Sequence, residues 1–233
     1  MTLTKIIGLD ADDTLWHNET LFRLTHERFN ALLAPWADAA TVEDALAAVE
    51  RRHLGTYGYG AKGFTLSMLE TALQLSETQA PPAVLAEILA AGRDLMRHPV
   101  EPLPGVHDAL ERLAAIAPLV LITKGDMFHQ ESKLAASGLG AFFSGVEIVS
   151  EKNADTYRRA FARHGVAPEH ALMAGNSVRS DVLPALEAGC AAVLIPYPLV
   201  WAHEAALAPT GHPRYRQCDS MSELADWLAG PAT

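Results

Sequence analysis

Asp10, Asp12, Asp13 and Thr14 crowd the end of a short apolar run, Ile6-Ile7-Gly8-Leu9. Such a run, closed by turn-forming residues, is predicted as a buried β-strand. Three carboxylates so close together repel one another, and their charge needs an offset. A divalent cation suits that role, because hard cations prefer oxygen ligands. The carboxyl end of a strand is also where open α/β sheets bind ligands. Taken alone, the cluster reads equally well as an acidic turn capping a helix.

Polar residues further along recur at matching places. Strand-like runs at 119–122, 146–149, 171–174 and 192–195 alternate with helical patterns at 106–117, 128–137, 154–164 and 182–188. Gly138, Gly165 and Gly189 stand where helices should stop. Apolar strands alternating with helices predict an α/β fold, a doubly wound parallel sheet covered on both faces. The strand ends then deliver Thr123 with Lys124 and Gly125, next Lys152, and last the segment Gly175-Asn176-Ser177-Val178-Arg179-Ser180-Asp181. Each has a plainer role open to it: Thr123 as a helix cap, Lys152 as a solvated lysine, and Asp181 as the N-cap of a helix carrying Pro184 in its first turn.

Residues 16–99 break the alternation. They carry helical periodicity only, through Leu21, Leu24 and Phe29, then Val42, Leu46 and Val49, then Leu66, Leu69 and Leu73, then Leu85, Ile88 and Leu95. Pro99, Pro102 and Pro104 mark the return. The expected organisation is an α/β core of residues 1–15 and 100–233, with an all-helical insert at 16–99. The glycine- and aromatic-rich stretch 55–64 is predicted as a loop between insert helices, with Tyr57, Tyr59, Lys62 and Phe64 as candidate substrate contacts.

The order Asp-x-Asp-x-Thr, then Thr, then Lys, then Gly-Asn-Ser-x-x-x-Asp resembles the haloacid dehalogenase superfamily, in particular its phosphatases. The resemblance covers the core, and the insert matches the family's helical cap by position. It implies a Rossmann-like core and hydrolysis of a small soluble phosphomonoester. Asp10 would be the nucleophile and form an aspartyl-phosphate, and Asp12 the proton donor and then the base. Thr123 and Lys152 would hold phosphoryl oxygens. Thr14, Lys124 and Gly125 would join Tyr59 and Lys62 in binding substrate. Mg2+ would lie on Asp10, the Asp12 backbone carbonyl, Asn176 and Asp181.

Asn176 departs from the pattern, standing where the family leads one to expect an acid. That raises an alternative within the superfamily, a 2-haloacid dehalogenase using Asp10 and no metal. Asp12 counts against it, because a departing halide takes no proton. A receiver-like or phosphate-binding module without catalysis ranks third, since receivers are far shorter and lack an insert.

Bulk properties narrow the partners. A net charge of −10, with no run of Lys or Arg, argues against nucleic acid and anionic membranes. At 49% hydrophobic and 20% charged residues the chain is globular, and no stretch is long enough to span a bilayer. The start lacks a signal peptide's apolar region, and two cysteines, Cys190 and Cys218, suit reduced thiols or one disulfide. A cytoplasmic location is expected. The ten histidines show no metal-ligand spacing and are expected to serve packing or the surface.

Overall fold

The structure, a computed structural model, describes residues 4–201 and 204–230. Its centre is a six-stranded, wholly parallel sheet. The strands are β1 (Ile6–Leu9), β2 (Leu119–Lys124), β3 (Phe143–Val149), β4 (Ala171–Gly175), β5 (Ala191–Leu194) and β6 (Tyr215–Gln217). Their order is β3-β2-β1-β4-β5-β6. From β1 the chain winds one way through β2 and β3, then returns to β4 on the other side. The order therefore reverses between β1 and β4, and in open sheets that is where a crevice forms.

Alternation along β1 supplies both cores. Ile7 and Leu9 pack with α5 (Val106–Ile116) and α9 (Met221–Ala229), through Leu110, Leu113 and Leu224. Ile6 faces the opposite layer, with Tyr157 and Phe161 of α7 (Ala154–Arg163) and Ala185 of α8 (Leu183–Ala188). Gly8 faces that layer too, and a Cβ there would sit 3.0 Å from side-chain atoms of Ile122, Met173 and Phe161. The helix α6 (Met127–Ser137) connects β2 to β3.

β6 and α9 lie outside the five strands and four core helices expected from the sequence. β6 is short and polar because it is an edge strand, with Arg216 and Gln217 exposed. The other edge, β3, is half exposed and so not apolar throughout. Cys190 and Cys218 are buried free thiols, which removes the disulfide alternative. Among the described residues no helix is long and apolar enough to cross a membrane.

The chain divides into two compact units. One comprises residues up to Glu19, Val100–Lys124 and everything from Gln130 onward; the other is Thr20–Pro99 with Gly125–His129. The second is helical: α1 (Glu19–Leu33), α2 (Ala39–Tyr57), α3 (Ala61–Leu75) and α4 (Pro82–Arg97). Phe29, Val42, Leu46, Ile88 and Leu95 lie in its core as expected, but Leu24, Leu66 and Leu73 are exposed. The inner face of α3 is instead Ala61, Gly63, Phe64, Ser67, Met68, Thr71 and Ala72. Small residues let α3 lie close to its neighbours: a Cβ on Gly92 of α4 would fall 2.1 Å from Thr65 Oγ1. The expected loop at 55–64 shrinks to Gly58–Gly60, since α2 runs to Tyr57 and α3 starts at Ala61. Gly58 and Gly60 take positive φ values of 71° and 112°, which make so tight a reversal accessible.

Burial pushes the Glu50 carboxyl of α2 up to about 7, against a counter-pull from Arg51. The folded protein thus holds this proton more tightly than the unfolded chain, where the value is 4.5. Stability from this group is present below the unfolded value and is lost as pH climbs toward 7. Glu50→Gln should therefore leave the melting temperature unchanged near pH 4.5 and raise it by roughly 2–4 °C at pH 8. Thermal melts at the two pH values check this, and an equal effect at both would refute it.

Candidate active site

Asp10 follows β1 and keeps the ladder going, donating its N–H to Ala174 O of β4 at 3.0 Å. Its side chain therefore emerges where the strand order reverses. Lys152 Nζ contacts Asp10 Oδ1 and lies 2.7 Å from Asp181 Oδ1. The ammonium is 2% exposed, and the two carboxylates are 9% and 1% exposed. One cation thus bridges two buried anions.

The remaining oxygens are also held. Thr14 Oγ1 lies 3.2 Å from Asp10 Oδ2 and 3.3 Å from Asn176 Oδ1, and accepts the Asn176 N–H at 3.0 Å. Asp181 Oδ2 accepts the Ser177 N–H at 2.9 Å. The Tyr157 hydroxyl donates to Ser180 O at 2.8 Å and stands 3.5 Å from Asp181 Oδ1. Burial pushes the Asp10 carboxyl up to about 7, with Lys152 pulling down and Asp181 pushing further up. Lys152 itself sits above the ordinary lysine range; burial opposes its charge, but the two aspartates outweigh it.

Asp181 is not the helix N-cap that Pro184 suggested. Ser177 takes that place, with its Oγ accepting the Ser180 N–H at 3.0 Å. Residues Val178–Val182 then form a π-helical turn, in which Val182 N–H reaches Ser177 O at 3.2 Å. The wider turn swings Asp181 back toward the strand ends. Gly175 permits it, since a Cβ there would fall 2.3 Å from Asp181 Oδ2 and 2.9 Å from Asp10 Cβ.

Asp12 and Thr123 form a second neighbourhood. Asp12 Oδ1 accepts from Lys133 Nζ at 2.6 Å and from Trp16 Nε1 at 2.7 Å, and Oδ2 from Gln130 Nε2 at 3.0 Å. Burial alone would raise the Asp12 carboxyl, but Lys133 and these donors hold it below the usual range. Gln130 Nε2 also reaches Thr123 Oγ1 at 2.7 Å. Thr123 does not cap α6; Asp126 does, accepting the His129 N–H at 3.0 Å.

Asp13, at φ 61°, accepts the N–H groups of Asn18 and Glu19 at 2.9 and 3.0 Å. It braces the chain leaving the sheet. Thr14 is fully buried with its hydroxyl spent on Asp10 and Asn176, so it braces the site and presents no face to a substrate. Lys124 Nζ pairs with Glu204 at 2.7 Å and with Ser180 Oγ at 2.8 Å. Gly125 groups with the helical unit, as do Tyr59, in the reversal before α3, and Lys62, whose Nζ is 2.9 Å from Asp126. Phe64 is 4% exposed in that unit's core, and so is not a loop contact.

The sequence reading missed Gln130, Lys133, Trp16, Tyr157 and Glu204. Gln130 and Lys133 share one helix face by spacing, just past Thr123, and this was the only signal available for them.

The chain belongs to the haloacid dehalogenase-like hydrolases, which it matches over residues 4–189. It is 30% identical to a phosphoserine phosphatase of Thermus thermophilus, over 82% of this chain and 88% of that one. A haloacid dehalogenase-like family hydrolase from Xanthomonas campestris superposes with a TM-score of 0.87 at 40% identity, covering 97% of this chain and 90% of that one. A 2-haloacid dehalogenase from Pseudomonas syringae shares the fold, with TM-score 0.64 and 19% identity over 97% of this chain and 98% of that one.

Removing Lys152 would leave two carboxylates buried without their counter-charge. Lys152→Met is expected to cost about 3–5 kcal/mol of folding free energy in urea titrations run with chelator. A loss below about 1 kcal/mol would mean that the ammonium does not hold this cluster together.

Proposed function

We propose that this protein is a magnesium-dependent phosphomonoester hydrolase working through an aspartyl-phosphate on Asp10. The observation that carries the reading is Asp12, retained two residues beyond Asp10 and held by Lys133, Trp16 and Gln130. An alkoxide leaving group needs a proton, and a halide does not. The phosphoserine phosphatase relative supports the same direction.

In this scheme an Asp10 carboxylate oxygen attacks phosphorus in line, and the bond to the ester oxygen breaks. Asp12, a carboxylate in the free protein, takes up a proton as the incoming phosphate dianion offsets the pull of Lys133, and then gives that proton to the departing oxygen. Water then attacks phosphorus, Asp12 takes up the water's proton, and the Asp10–phosphorus bond breaks to release phosphate. Thr123 and Lys152 donate to the phosphoryl oxygens. At an effective dielectric of about 20, a charge pair 4 Å apart is worth about 4 kcal/mol, so Lys152 is a strong lever on the barrier. The helical unit serves as the cap that chooses the leaving group, with Tyr59 and Lys62 among its contacts.

The residues suit magnesium in kind: the carboxylates of Asp10 and Asp181, the Asn176 amide oxygen and the Asp12 carbonyl are hard oxygen donors. Among the described residues no three His, Cys, Asp or Glu side chains gather as a metal group, so the carbonyl and amide oxygens must complete the set. When bound, the ion offsets the repulsion between Asp10 and a phosphate dianion.

A second reading, 2-haloacid dehalogenation by Asp10, draws on two observations. Asn176 lowers the negative charge of the site, and Lys152 already balances part of what remains.

A panel of phosphomonoesters led by phosphoserine, assayed with magnesium and with chelator, tests the proposal. Turnover should require magnesium and fall at least about a thousandfold in Asp10→Asn. Chloride release from 2-chloropropionate in chelator, with no phosphate release, would reverse the ranking. Asn176→Asp adds one ligand charge and should lower the magnesium concentration giving half-maximal activity. An unchanged or higher requirement would remove Asn176 from the metal set.

A further inference from the structure

α6 carries a feature that neither the family's motifs nor the expected roles account for. Gln130 and Lys133 lie three residues apart, on one face of the helix. Both aim at the Asp12 carboxylate, Lys133 at Oδ1 and Gln130 at Oδ2. Trp16, 1% exposed, closes the third side through its indole N–H. The carboxylate thus has donors on both oxygens, and charge-assisted contacts of this kind fix orientation.

Gln130 is the less ordinary partner. It is 3% exposed, and its Oε1 is buried with no hydrogen-bond partner. Its Nε2 meanwhile faces three acceptors, Asp12 Oδ2 at 3.0 Å, Thr123 Oγ1 at 2.7 Å and Lys124 O at 2.7 Å. An amide nitrogen has only two protons, so these acceptors share it. A buried amide with one end orphaned is costly, and such groups are usually kept for a task. Here the geometry names one, since the same nitrogen ties the proton-transfer carboxylate to the threonine at the end of β2.

We propose that Gln130 and Lys133 are positioning residues, a clamp on α6 that sets where the Asp12 carboxylate stands and locks it to Thr123. The inference rests on the phosphatase reading. It goes beyond that reading by assigning the placement of the proton donor to two residues of α6 that do not contact the nucleophile. The consequence is selective. Esters whose departing oxygen must be protonated depend on where Asp12 stands, whereas an aryl ester with a stable phenolate depends on it far less. Phosphate binding is common to both.

The test compares kcat/KM for phosphoserine, an alkyl ester, with that for p-nitrophenyl phosphate, because kcat/KM reports the steps through departure of the leaving group. The wild type, Lys133→Met, Lys133→Arg and Gln130→Met are assayed with magnesium, with thermal melts run in parallel. Lys133→Met and Gln130→Met should each lower the alkyl-to-aryl ratio of kcat/KM by about tenfold or more. Lys133→Arg, which keeps a cationic donor, should restore most of it. Equal losses on the two esters, or no rescue by arginine, would reduce the clamp to a structural brace and overturn the inference. If Gln130→Met does not fold, the two Lys133 variants still decide, since that side chain is 12% exposed and lies outside the core clusters. A wild type that turns over neither ester overturns the phosphatase reading first and removes this inference with it. A wild type active on both leaves the reading standing while the ratio judges the clamp.

Discussion

Two carboxylates and one ammonium, all withdrawn from water, set the terms for the rest of this structure. Asp10, Asp181 and Lys152 lie in a space where an isolated charge costs several kcal/mol, and where attraction repays that cost only when geometry is good. The neighbouring backbone is shaped around that requirement. Gly175 leaves room where any side chain would strike Asp181. The π-helical turn brings Asp181 round to Lys152, and the Ser177 N–H holds its second oxygen. Thr14 holds the second oxygen of Asp10 and couples it to Asn176. Loss of any one leaves a buried charge partly unmatched, so these residues act as a set.

The sheet makes the set affordable. β1 is hydrogen-bonded to β2 on one side and β4 on the other, with apolar layers above and below. A strand so enclosed cannot shift its register without moving Ile7 and Leu9 out of one core and Ile6 out of the other. The position of Asp10 is thereby fixed to the ladder that ends at Ala174, one residue before Gly175. Asp10 and the turn bearing Asp181 follow the two paired strands of that ladder, so both leave the sheet at the same end.

Much of this is written locally. The apolar runs of β1, β2, β4 and β5 are buried on both faces, so hydrophobicity alone reveals them. The order of Asp10, Thr123, Lys152 and Asp181 at strand ends follows from the alternation. β6 escaped because an edge strand of Tyr, Arg and Gln has no apolar run to detect. α9 did carry a legible start, Ser220 with Glu223 three residues later. The structure uses it: Ser220 Oγ accepts the Glu223 N–H, while Glu223 accepts from Asp219. In the helical unit the leucines misled. The buried face of α3 includes Gly63, Ser67 and Ala72, which a hydrophobicity pattern underweights. Tertiary choices stayed hidden altogether. Pro184 marks a helix start and so offers a cap as the plainer role for Asp181, and nothing local signals a π-helical turn. Which acid each lysine meets is decided by the fold.

That last point bears on how such a site treats an anion. Each of the three lysines around the strand ends is already engaged: Lys152 with Asp10 and Asp181, Lys124 with Glu204 and Glu151, and Lys133 with Asp12. Five carboxylates face three ammonium groups, in a chain whose net charge is −10. If the substrate is a phosphate dianion, as proposed, it would have to break an existing ion pair or arrive with extra positive charge. Breaking the Lys152 pairs would leave Asp181 buried without its partner, the most expensive of these options. Under the proposed phosphatase scheme a divalent ion would lessen that cost by adding positive charge. The same arithmetic distinguishes the two chemistries. A singly charged haloacid asks less of the site than a phosphate dianion does, so the need for a metal should follow the charge of the substrate.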